Sequence, residues 1–118
     1  MDILTIAAEA ADDKKARDLT AMDISAIASF ASRFLICTGD SSRQIQAISD
    51  EIEARLKDAG VRPAHIEGYQ NAEWVVMDYS ELIVHIFSKT ARAYYDLERL
   101  WRDAVIIDVV ANDVVTKP

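Results

Sequence analysis

Phe34-Leu35-Ile36-Cys37-Thr38-Gly39-Asp40-Ser41-Ser42-Arg43-Gln44-Ile45 is the stretch that sets the architecture. It is apolar until Thr38, which suits a strand covered on both faces, and Gly39 ends the run. Ser41 stands three residues before Gln44, the spacing at which a capping serine and a reciprocal glutamine open a helix. Ile45, Ile48, Ile52, Leu56 and Ala59 then make an apolar stripe, with Asp50, Glu51, Glu53, Lys57 and Asp58 mostly off it. Gly60 is the expected stop. Buried strand, glycine turn and capped amphipathic helix together make an α/β unit.

Upstream, Ile3, Ile6, Ala7, Ala10 and Ala11 fall on one helical face, with Asp2 as N-cap. Leu19 to Ile24 alternates, with Leu19, Ala21 and Asp23 on one face and Thr20, Met22 and Ile24 on the other, which reads as a half-buried strand. Residues 25–32 form a connection. Downstream, His65-Ile66-Glu67 reads as a short strand closed by Gly68. Trp74-Val75-Val76-Met77-Asp78 and Leu82-Ile83-Val84-His85-Ile86-Phe87 are strong strands, and Tyr79-Ser80-Glu81 is short enough to join them as a hairpin. Residues 89–101 read as one helix, packed through Ala91, Tyr94, Tyr95, Leu97, Leu100 and Trp101. Val105-Ile106-Ile107-Asp108-Val109-Val110 is β-prone and stays open between an added edge strand, an oligomer contact and a loose tail.

This order predicts an α/β fold: a single domain with a mixed β-sheet and flanking helices. Its body spans residues 1–103, and 104–118 form an apolar C-terminal extension. The chain has 118 residues and 51% hydrophobic content, enough for one core and no sign of wholesale disorder. One cysteine cannot close an internal disulfide, which fits a reducing, cytoplasmic setting. No apolar run nears the ~20 residues that span a bilayer, and the N-terminus does not read as a secretory signal. The net charge of −7 argues against binding driven by phosphate neutralisation, and so against direct sequence-specific nucleic-acid binding; it favours a basic partner.

The chemistry-bearing residues are few. Cys37 sits inside an apolar strand and reads as core. His65 and His85 lack a third nearby ligand, so no metal is expected; hydrogen-bonded strand histidines are the better reading. The turn from Gly39 to Arg43 could present backbone N–H groups to an anion, but Asp40 puts a carboxylate there, and a structural cap is favoured. No Asp-x-Asp pair follows on a strand to hold Mg²⁺, which argues against phosphoryl-type transfer. Neither a catalytic residue nor a cofactor is expected. Trp74, Asp78 and Tyr79 at a hairpin suit an interface anchor, although a core tryptophan and an ordinary turn tyrosine account for them equally well.

Several segments together resemble the Iojap or ribosomal silencing factor family. They are Lys14 to Leu19 with Met22-Asp23-Ile24; Phe34 to Gln44; His65-Ile66-Glu67-Gly68; Trp74 to Tyr79; Val84-His85-Ile86-Phe87; and Tyr95-Asp96-Leu97-Glu98-Arg99-Leu100-Trp101. The resemblance covers about residues 3–103 in the expected order. It implies a nucleotidyltransferase-like topology without known transferase activity. It further implies a factor that binds the large ribosomal subunit through ribosomal protein number fourteen, blocks subunit joining and represses translation when nutrients are scarce.

By motif position, Trp74, Asp78 and Tyr79 carry over to the partner-facing surface, with Glu67 as a weaker candidate. Three positions depart from the family pattern. Ser80-Glu81 replaces Gly-Asp after the tyrosine, Ser32-Arg33 replaces Asp-Tyr, and the tail after Asp103 has no clear counterpart. Two other readings compete with the blocking factor. One is a nucleotidyltransferase-like nucleotide-binding domain using the Gly39 to Arg43 turn, and the other is a homodimer, formed when free, whose apolar tail makes the contact.

Overall fold

The structure is a computed structural model that describes residues 2–110 and 113–116. Its elements are α1 (Ile3–Asp13), β1 (Arg17–Asp23), β2 (Arg33–Gly39), α2 (Ser42–Asp58), β3 (His65–Glu67), β4 (Trp74–Asp78), β5 (Leu82–Ser88), α3 (Lys89–Tyr95), α4 (Leu97–Leu100), β6 (Val105–Val110) and β7 (Asp113–Thr116). The strands form one mixed sheet in the order β3-β4-β5-β2-β1-β6-β7, in which β2 and β5 are parallel and every other pair is antiparallel. Of the three readings for the segment after residue 104, the structure takes the strand. β6 pairs with β1 at Ala21↔Ile107, and β7 lies outside it.

The unit from Phe34 to Gly60 forms as its sequence dictates. Ser41 caps α2 by accepting from the Gln44 N–H at 3.1 Å. The Gln44 side chain reaches back, one residue further than in the usual box, to accept from the Asp40 N–H. Its amide also donates to the carbonyls of Lys14 and Lys15, which ties the end of α1 to the start of α2. Asp2 caps α1 through the Leu4 N–H and also takes a two-point bond from Arg33 at 2.5 and 2.8 Å. That bond from Arg33 is the main cause of an Asp2 carboxyl held below its ordinary range. Arg33 thus anchors the approach to β2 from one of the departing positions.

Two cores lie on opposite faces of the sheet. On the first, α1 and α2 bury Leu4, Ala7 and Ala11 with Ile45, Ile48, Ile52 and Leu56 against Leu35, Cys37, Val75, Met77, Val84 and Ile86. On the second, Met22, Ile24, Phe34, Ile36 and Phe87 meet Ala91 and Leu97 of the short helices. β1 is therefore covered on both faces at its centre, with Ala21 in the first core and Met22 in the second, rather than half-buried. α1 is also rotated from its expected face. Leu4, Thr5 and Ala8 are buried, whereas Ile3 and Ile6 lie at the margin.

The helix expected over 89–101 is broken. Asp96 takes a left-handed φ of 48°, ends α3 and starts α4 at a new angle. Leu97 is turned inward, while Tyr94 and Leu100, expected to pack, are 80% and 73% exposed. Asparagine-like residues tolerate this conformation, so the break costs little at Asp96. Ser80 likewise takes φ 69° in the β4–β5 hairpin, where the Asp78 carboxylate accepts from its N–H at 2.8 Å. Serine thus adopts a glycine-like turn here.

Candidate functional site

Strand alternation and register sort the candidate residues by face. β3 pairs Glu67↔Val76 and His65↔Asp78, and β5 pairs Val76↔His85 and Asp78↔Ile83. Glu67, Val76 and His85 therefore form one row across the second face, with His65, Asp78 and Ile83 in the next. Trp74 lies on this face at the far end of β4, opposite Phe87. The short helices cover this face over β2 and β5 but leave it open towards β3. Trp74, Val76, Asp78 and Ile83 are half-buried there, and Glu67 is exposed. Trp74, Asp78 and Glu67 are thus brought together, and Val76 and Ile83 join them.

Tyr79 does not join them. It is one residue out of phase with Trp74 and Asp78, so its ring enters the first core beside Val75 and Met77 and is 6% exposed. The expectation of an exposed phenol anchor is corrected by that alternation. Burial, reinforced by nearby Glu53, pushes its hydroxyl up to about 12. The hydroxyl has no hydrogen-bond partner among the described residues.

Trp74 is held on several sides. Its indole N–H donates to His85 Nδ1 at 3.1 Å, and its ring lies 5.1 Å from Phe87 and 4.5 Å from Tyr95, centre to centre. His85 is 6% exposed, and the Phe34 ring packs against it at 4.7 Å in an edge-on arrangement. Burial pushes this imidazole down to about 4, so it is neutral and its Nδ1 can accept. The result is an apolar strip of Trp74, Val76 and Ile83, bordered by the carboxylates of Glu67 and Asp78. Such an arrangement suits a partner with an apolar contact and flanking lysine or arginine. Period-two alternation from Trp74 was the signal that could have found Val76.

The other candidates separate from this surface. Cys37 is fully buried in the first core, and burial pushes its thiol up to about 12, so it is not a nucleophile. His65 is exposed and His85 enclosed, and each has its own surroundings. At the Gly39–Arg43 turn, the Asp40 N–H and the Gln44 N–H are taken by side chains of the turn itself, which favours the structural cap. Beside it, at the ends of the parallel strands, a cavity of about 330 Å³ is lined by Arg17, Lys89 and Arg92 but also by Asp18, Asp40, Asp96 and Glu98. Arg92 is committed there to Glu98 at 2.8 Å, to Thr38 and to the Asp18 carbonyl. No helix among the described residues is long and apolar enough to cross a membrane.

Comparison with known proteins identifies the family and the fold. The family model described as "Ribosomal silencing factor during starvation" matches residues 1–117. Ribosomal silencing factor RsfS of Bacillus subtilis is 45% identical over 107 residues, covering 91% of each chain. A crystal structure of a Chromobacterium violaceum protein superposes with a TM-score of 0.84 at 37% identity, covering 86% of this chain and 88% of that one. Another, from Bacillus halodurans, gives 0.77 at 41%, covering 84% and 92%. A mixed sheet between two helix layers, the capped turn after β2 and a match over nearly the whole sequence lead to one conclusion: the chain belongs to the ribosomal silencing factor family and has its translation-silencing role.

Proposed function

We propose that the chain represses translation by docking its open sheet face on the large ribosomal subunit and blocking subunit joining. The docking site is a cationic patch of ribosomal protein number fourteen, in the cytoplasm, under nutrient limitation. The observation that carries this reading is the apolar strip of Trp74, Val76 and Ile83 between two carboxylates, on the part of the sheet its own helices leave uncovered. The mechanism is occupancy, with no chemical step. An indole held on three sides is already in its bound conformation, so little ordering entropy is lost on docking. Glu67 and Asp78, within an overall charge of −7, steer encounter with a basic surface and pair with its cations once docked.

Co-sedimentation with purified large subunits, followed by light scattering as small subunits are added, tests the reading. The native chain is expected to pellet with large subunits and slow joining. Trp74→Ala, folded by circular dichroism, is expected to do both at least about fivefold less well, the loss typical of an anchor worth ~1 kcal/mol or more. Equal binding by the two proteins would remove this face as the docking site.

A further inference from the structure

We infer that His85 is a positioning residue for docking: it accepts the Trp74 indole N–H and fixes the angle at which the indole meets the partner. The inference rests on the docking reading above.

Trp74 and His85 lie diagonally on neighbouring strands, which follows from the pairs Trp74↔Phe87 and Val76↔His85. A long side chain can reach its diagonal neighbour, and the indole does so, with a 3.1 Å bond to Nδ1. The two rings are 5.9 Å apart and tilted by 35°, so the bond is made edge to edge and not by stacking. Stacking on Phe87 and a tilted contact with Tyr95 restrain the indole plane but leave a swing of the ring within that plane open. The bond to Nδ1 removes that freedom. Phe34, edge-on at 4.7 Å, fixes the imidazole in turn.

His85 is itself almost wholly enclosed, so a partner touches Trp74 and not the imidazole. An acceptor at Nδ1 requires the proton on Nε2. That nitrogen is buried without a hydrogen-bond partner among the described residues. A buried donor without a partner lowers stability. Phenylalanine would fill the same space without that donor but would leave the indole N–H without its acceptor, so what the histidine adds is the acceptor for Trp74.

The test uses the full chain with His85→Phe, which keeps a ring but removes the acceptor, and His85→Asn, whose amide oxygen falls near the Nδ1 position. The expected result is that His85→Phe stays folded at the temperature of the binding assay, by circular dichroism, yet binds large subunits about tenfold more weakly. Its Trp74 indole N–H resonance should shift while that of Trp101 stays in place, and His85→Asn should recover most of the binding. Native affinity in His85→Phe, with Trp74→Ala impaired, would overturn the positioning role and leave the docking face intact. Native affinity in Trp74→Ala would overturn the docking face itself. Imidazole nitrogen shifts in the unaltered protein give a check independent of any variant's folding: a proton on Nδ1 would overturn the inference.

Discussion

Gly68 and the carbonyl of Trp74 share one small space. A Cβ built on Gly68 would stand 2.1 Å from the Trp74 oxygen, and Gly68 also holds a φ of 80° that side chains rarely adopt. Glycine is needed here on both counts, so that the loop after β3 can turn back under the strand that carries Trp74. Gly68→Ala is expected to cost more than about 2 kcal/mol, measured by urea unfolding, with a weaker hold on the large subunit because Trp74 must move. A variant as stable as the native chain would show that the loop relaxes freely.

The carboxylates beside the strip make a separate expectation. Asp78 also caps the hairpin through the Ser80 N–H, whereas Glu67 is exposed on a strand with no such duty, so Glu67 is the cleaner probe. Glu67→Lys is expected to slow association with large subunits about three- to tenfold at low salt, in stopped-flow measurements. The difference should shrink as ionic strength rises. A loss unchanged by salt would mean that Glu67 acts through contact rather than steering.

Tyr79 now predicts a stability effect. Tyr79→Phe removes a buried hydroxyl without a partner among the described residues and is expected to leave stability unchanged or raise it by up to about 1 kcal/mol. Tyr79→Ala opens a cavity in the first core and is expected to cost about 3–5 kcal/mol. Chemical denaturation measures both. Weaker binding by a fully stable Tyr79→Phe would return the hydroxyl to the interface.

Acid should loosen the fold in two windows. The unfolded chain takes up a proton at His85 near pH 6.5, whereas the folded chain resists until about 4. Stability therefore falls with pH through that range, by up to about 3 kcal/mol. Asp2 and Asp23, both held below 3.8, withdraw their contribution only at lower pH. Melting curves from pH 7 to 4 should show the first decline in the native chain and a much smaller one in His85→Phe. Equal slopes would assign the decline to other groups.

Much of this was legible in the chain itself. The stretch from Phe34 to Gly60, the hairpin around Ser80 and the short strand before Gly68 form where caps, glycines and apolar spacing place them, because each is a local signal. Tyr79 differs from its expected place because strand alternation from Trp74, not residue type, decides its face and turns its ring into the first core. The break at Asp96 carries no such mark, since an aspartate fits a helix surface as well as a left-handed turn, and only packing of Leu97 on the sheet decides between them. Pairing of Glu67 with Val76 and of Val76 with His85 depends on register between separate strands, which periodicity does not encode.

The strand that carries Glu67, β3, is three residues long and forms one rim of the sheet. A rim so brief offers a foreign chain few backbone groups to copy, so sheet-to-sheet growth on that side is starved of a template. The proposed docking is thereby left to side chains, which choose their target, and kept away from main-chain pairing, which does not. If the strip of Trp74, Val76 and Ile83 docks as proposed, it can stay uncovered beforehand without seeding filaments from the neighbouring border.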